Sequence, residues 1–416
     1  NELMAFYADW VRPSAGLPTG AWSLLLAVAA LMGHLVQRYA GLPKLVGYSV
    51  VGTVVGLAGF EGAIWPLQGT PLFLIELAAA VVLFEAGGRL PLRWFRHNPM
   101  VLAQSAVEAT LTYFAVYWTL LWFGVPAPVA NPLGLMAIVA SPAVLSRVVM
   151  DTRASGPVTE RGLTLATLNA FYALTLGYAQ AGLLERGPTG FAQHLQPVFV
   201  VLGLSFVVGA VLALALRSAL RVMSPASENT SLLLLALIAA GAALAAHLGG
   251  SAPLAALLAG VLLKQLNPRP WSWPRQLGTA ASLLTMLMFV LVSTVAAQAD
   301  WSLPVAGLVV SLIGVRAVAK VVGVAVANPG SGASWKQALW VGCAMSPLSS
   351  IALLIASNFV TASPLLGHLI TQVALPSILV MEVLGAVIAT LAIYGAGEAS
   401  RPWAPVTLAN AEETQR

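Results

Sequence analysis

The sequence predicts an all-α polytopic membrane protein: thirteen transmembrane helices in two inverted repeats of six around a linker helix, with two crossed discontinuous helices. Three observations carry this expectation. Of 416 residues, 59% are apolar and only 8% charged, against roughly 25% charged in an ordinary soluble domain, which excludes a water-soluble enzyme of this length. The 37 Gly and 26 Pro sit inside long apolar runs, where membrane helices tolerate them, so they do not signal disorder. The strict alternation of a β-barrel strand is absent.

Taken in order, and allowing roughly 20 apolar residues per crossing, the apolar segments are 21–39, 45–60, 71–88, 99–123, 132–150, 162–184, 195–216, 231–248, 252–265, 278–298, 303–327, 336–358 and 364–394. The ninth is short and the last long. Loops between them are short, which argues for one compact bundle. The stretch up to Gly20 has no basic region followed by an apolar run, so no cleavable signal is expected. Cys343 is the single cysteine, which rules out a disulfide within the chain.

Basic residues orient the bundle, since Lys and Arg of short loops stay on the cytoplasmic side. With the N-terminus outside, 16 of the 20 basic residues fall in inner loops and the tail, Arg12 and Arg186 fall outside, and Arg316 and Lys320 lie within the eleventh span. That asymmetry predicts an outer N-terminus and a cytoplasmic C-terminus. It also accounts for the net charge of +5 without a nucleic-acid partner. Trp271, Trp273, Trp301 and Trp403 stand at span ends as interfacial aromatics, and His34 and His247 read as ordinary interfacial histidines.

An odd number of spans with short loops invites division into two halves about a central helix. Span five holds Ala140-Ser141-Pro142-Ala143-Val144-Leu145-Ser146 and span twelve holds Met345-Ser346-Pro347-Leu348-Ser349-Ser350-Ile351, the two prolines being 205 residues apart. Gly52 of span two and Gly260 of span nine are 208 apart. One Ser-Pro in an apolar span reads as a kink, but a matched pair predicts two broken helices. Their half-helix ends would meet near the midplane and offer an ion site.

Ionisable groups at membrane depth cost roughly 2.5–3.5 kcal/mol on insertion scales. Glu85 lies near Arg89 and Glu76 near the outer end, so both read as interfacial. Glu108 and Glu382 fall mid-span. Arg316 and Lys320, four residues apart, share one helix face and need acids or half-helix carbonyls as partners; Lys320 alone is close enough to the inner end to snorkel. No nucleophile elbow, P-loop or metal-ligand spacing appears, so neither enzyme chemistry nor a cofactor is expected.

These segments resemble the monovalent cation:proton antiporter superfamily, in particular the bacterial sodium/proton and potassium/proton exchangers with thirteen spans. The resemblance runs from Trp22 to Ile393. It rests on Leu42-Pro43-Lys44-Leu45-Val46-Gly47-Tyr48, Leu83-Phe84-Glu85-Ala86-Gly87, Ser141-Pro142-Ala143-Val144 with Arg147, Leu258-Ala259-Gly260, Lys320-Val321-Val322-Gly323, Ser346-Pro347 and Glu382-Val383-Leu384-Gly385, in that order. The resemblance implies a homodimer. It assigns 21–88 and 231–298 to a dimerisation scaffold, 99–184 and 303–394 to a mobile core, 195–216 to the linker and 395–416 to a short cytoplasmic tail. A monovalent cation and protons are the implied partners, moved by an elevator-type motion.

The departure from the family falls at its centre. Where relatives carry Asp-Asp or Asn-Asp in span six, this chain reads Asn169-Ala170, and where many carry a Glu after the second break it has Ser349 and Ser350. A methyl group neither titrates nor coordinates. Three readings stay open: an antiporter whose carboxylate has moved to Glu382 or Glu108, with Asn169, Ser141 and Ser346 as neutral ligands; a transporter of an anionic or neutral solute using Arg316 and Lys320; or a non-transporting membrane subunit or sensor. Lys320 is expected to meet Asn169 or the half-helix ends.

Overall fold

The computed structural model of the chain describes residues 2–4, 16–184, 190–267 and 275–400. Arg12, Arg186, Arg269, Trp271, Trp273 and residues 401–416 of the expected tail, among them Arg401, Trp403 and Arg416, lie outside the described residues. Every long regular element among those described is helical: α1 (Leu17–Leu35, ending in a π-turn), α2 (Lys44–Leu57), α3 (Gly69–Gly88), α4 (Leu92–His97), α5 (Met100–Trp122), α6 (Ala127–Ile138), α7 (Pro142–Thr152), α8 (Pro157–Ala181), α9 (Phe191–Val222), α10 (Glu228–Leu248), α11 (Ala252–Leu266), α12 (Arg275–Ala296), α13 (Leu303–Val326), α14 (Trp335–Ala344), α15 (Ser350–Ala362) and α16 (Pro364–Gly395). Each expected span overlaps one helix or one helix pair, in order. Eight segments are by themselves long and apolar enough to cross a membrane, the α6–α7 pair counting as one.

Local chemistry sets the boundaries. Ser227, Ser251, Ser302 and Ser334 cap α10, α11, α13 and α14 by accepting a backbone N–H of the first turn, and Gln337 completes a capping box on α14. α8 begins at Pro157, five residues before the apolar signal. Proline is pre-set for the first helical position, and Glu160 suits the positive N-terminal end. α4 was not expected from hydropathy. It is a six-residue amphipathic turn with Phe95 buried and Arg93 and Arg96 partly or fully exposed.

Helices gather in two sets. α1–α3 and α10–α12 pack together with α9 against them, and α5–α8 pack with α13–α16. Pairing recurs with the halves exchanged: α2 lies on α12, and α11 on α3. The second contact is backbone to backbone at Gly87 and Gly260, where a Cβ would run into the carbonyls of Leu257 and Phe84. Small residues at such crossings are the usual means of close helix approach in lipid.

Candidate functional site

Pro142 and Pro347 lack an N–H and clash with the turn before them, so neither helix continues through its proline. The first break leaves Val139, Ala140 and Ser141 non-helical between α6 and α7; the second leaves residues 345–349 between α14 and α15. The breaks touch, because the Ser141 N–H donates to the Pro347 carbonyl at 2.9 Å. Ser141 and Ser346, expected as neutral ligands, turn their hydroxyls to the backbone. Ser141 Oγ accepts from the Val144 N–H at 3.3 Å as the cap of α7, and Ser346 Oγ donates to the Cys343 carbonyl at 2.7 Å.

Each half-helix end leaves carbonyls without a helical partner, and the cations of α13 fill them. Arg316 donates from Nε to Ala137 O at 2.9 Å, from Nη1 to Ser346 O at 2.5 Å and from Nη2 to Val139 O at 2.5 Å, with longer contacts to Met345 O and Pro347 O. Its guanidinium therefore ties together the negative ends of α6 and α14, a favourable place for a cation. One turn on, Lys320 Nζ donates to Glu108 Oε1 at 2.8 Å and to Ile138 O, the last carbonyl of α6, at 2.9 Å. Both cations are fully buried, so Lys320 does not snorkel.

Glu108 comes from α5. Its Oε2 accepts from Asn169 Nδ2 at 2.8 Å and its Oε1 also accepts from Thr112 Oγ1 at 3.2 Å. α5 approaches α13 this closely because Gly323 faces it: a Cβ there would stand 2.6 Å from Glu108 Cα. Asn169 Oδ1 is buried and has no hydrogen-bond partner, an acceptor of the kind that costs free energy when left unfilled. Ala170, next in the chain, is buried and contributes only a methyl group.

Glu382 stands apart from this cluster. Its carboxyl accepts from Ser293 Oγ of α12 at 2.7 Å and lies 3.5 Å from Ser349 Oγ. Ser350 Oγ is buried without a partner. The eleven residues singled out from sequence thus separate into Arg316 on the break carbonyls, the Lys320–Glu108–Asn169 cluster, and Glu382. Missing from that set were the carbonyl of Ile138 and the serines around Glu382. A carbonyl has no sequence signal, and a lone serine in an apolar helix usually bonds its own helix. The peripheral acids are as expected in part: Glu85 pairs with Arg89 at 2.5 Å, whereas Glu76 is half-buried.

Two cavities reach the first break from its two ends. One, about 780 Å³, is lined by Tyr113, Asn131, Tyr172 and Gln180 and reaches Ile138; the other, about 160 Å³, is lined by Glu85, Arg89, Glu160 and Thr167 and reaches Pro142. Crossed half-helices over buried charges, between cavities at opposite ends, define a polytopic membrane transporter. A family model described as the transmembrane sodium/hydrogen exchanger matches residues 24–394, and the chain belongs to that family. Its fold is similar to two structures of the sodium proton antiporter MjNhaP1 from Methanocaldococcus jannaschii. One, at pH 8, gives a TM-score of 0.64 at 15% identity, over 91% of this chain and 98% of that one. The other, from electron microscopy, gives 0.68 at 16%, over 94% and 100%. No curated protein matches by sequence.

Proposed function

We propose that the protein exchanges a monovalent cation for a proton, with Glu108 supplying the carboxylate that relatives place beside Asn169. The observation that carries this is the buried triad: Glu108 between Lys320 and Asn169, with Asn169 Oδ1 facing no donor. An alkali cation entering between Glu108 and Asn169 replaces the ammonium at the carboxylate, and Lys320 gives its proton to water. Charge in the site is conserved when one cation takes the place of one proton. Ile138 O, already turned toward the site, offers a further oxygen. Hard oxygen ligands of this kind suit such ions.

The cation reading is also favoured over an anionic solute. Arg316 is engaged by carbonyls and Lys320 by Glu108 and Ile138 O, so the donors of both cations are already occupied. Thirteen crossings, an outer N-terminus, a cytoplasmic C-terminus in a bacterial inner membrane, a homodimer built on α1–α3 and α10–α12, and an elevator motion of α5–α8 with α13–α16 complete the reading. With Glu85 paired to Arg89, Glu160 is, among the described residues, the uncompensated carboxylate lining the smaller cavity and would raise the local cation concentration on the inner side. The test is proton flux driven by sodium, potassium or lithium in liposomes, wild type against Glu108→Gln. Flux in the wild type and none in the variant is expected; equal flux in both rejects Glu108 as the carrier.

A further inference from the structure

Glu382 is fully buried in α16, yet no basic side chain pairs with it among the described residues. None of the described charged groups of the neighbouring helices bonds to it. Arg316 and Lys320 of α13 hold half-helix carbonyls and Glu108. Arg147 of α7 donates to Ser282 and Thr285, and Asp151 of α7 accepts the Lys44 backbone N–H at 2.9 Å. Lys336 of α14 is exposed, and His368 of α16 itself is exposed and bonded to Gln372.

Among the described residues, the side chains that bond or face the carboxyl are hydroxyls. Ser293 donates to Oε2 and Ser349, the residue preceding α15, lies beside Oε1. Ser49 of α2 faces the same carboxyl with its Oγ fully buried, and that carboxyl is the polar group within its reach. A serine hydroxyl both donates and accepts, so this oxygen is a ready acceptor for an acid O–H. The cradle is divided: Ser49 and Ser293 belong to the set α1–α3 with α10–α12, Ser349 and Glu382 to the set α5–α8 with α13–α16. An uncompensated carboxylate at membrane depth is strongly disfavoured and is neutralised instead.

We propose that the Glu382 carboxyl is a second proton-binding site, distinct from Glu108, lying on the seam between the two helix sets. The acid form closes the seam through Ser49, Ser293 and Ser349. Sliding of one set past the other separates the hydroxyls, admits water and returns the proton to it. This deepens the antiporter reading and rests on it for the consequence in transport, but proton binding itself does not depend on flux.

Infrared difference spectroscopy on the purified, reconstituted protein tests it directly, since a protonated carboxyl shows a carbonyl stretch that an ionised one lacks. Titration across neutral pH in the absence of alkali cations is expected to show such a band, lost in Glu382→Gln and shifted in frequency but retained in Ser293→Ala. Ser293→Ala keeps the comparison informative if the Gln variant fails to fold. A band that persists unchanged in Glu382→Gln, or no band in the wild type, overturns the proposal. So does loss of the wild-type band on adding sodium or potassium at constant pH, which would make this an alkali-cation site. Absence of flux with the band intact would fault the antiporter reading alone.

Discussion

In the proposed exchange Glu108 is the residue on which the chemistry turns, because it accepts from both Lys320 and Asn169 inside a fully buried cluster. Removing one partner of a buried pair leaves the other uncompensated, at roughly 3–5 kcal/mol. Lys320→Met should therefore lower the thermal stability of the detergent-solubilised protein strongly, while Lys320→Met with Glu108→Met recovers most of the loss. If the double variant is no more stable than the single one, the pair is not coupled as the geometry requires. Asn169→Ala should weaken cation dependence of exchange by about tenfold or more, one lost ligand being worth on the order of 1.4 kcal/mol; an unchanged half-saturation concentration would remove Asn169 from the site. The sequence made Glu108, Arg316 and Lys320 visible through the cost of charge in lipid. It did not pair them, because Glu108 and Lys320 are 212 positions apart and meet through the packing of α5 on α13, close at Gly323 and bonded from Gln104 to the Val324 carbonyl.

At the scale of elements, Ser141-Pro142 and Ser346-Pro347 made both breaks legible, since proline chemistry acts within one turn. What the breaks meet was not legible. The Ser141 N–H to Pro347 O bond that joins them, and the guanidinium that gathers their carbonyls, depend on tertiary approach. A second element-scale device escaped hydropathy altogether. Glu398, just past α16, accepts the N–H groups of Val158 and Thr159 at 3.1 and 3.2 Å, and Ser155 N–H donates to its carbonyl at 3.1 Å. This carboxylate caps α8, the helix that carries Asn169, and ties it to the end of the last helix. By analogy with the loss of an N-cap, Glu398→Ala should destabilise the protein by about 0.5–2 kcal/mol, with Glu398→Asp intermediate. A melting temperature unchanged in Glu398→Ala would show that the cap contributes nothing.

For the whole molecule, composition alone fixed the solvent: a chain with 8% charged residues folds in lipid, and its helices follow in the expected order. The helices group as α1–α3 with α10–α12 and as α5–α8 with α13–α16, and none of Glu108, Arg316, Lys320 or Glu382 lies in the first set. A homodimer through that set should appear in native mass spectrometry from mild detergent as a two-chain species, and monomer alone would count against it. Ala170, next to Asn169 in α8, is fully buried and offers a position at which a carboxylate can be added beside the cluster. The proposed exchange makes Glu108 the carboxylate that couples cation and proton, and the most direct measurement is cation-driven proton flux in liposomes for Glu108→Gln with and without Ala170→Asp. The account predicts that Glu108→Gln is inactive and that adding Ala170→Asp restores exchange; wild-type flux in Glu108→Gln alone would contradict it.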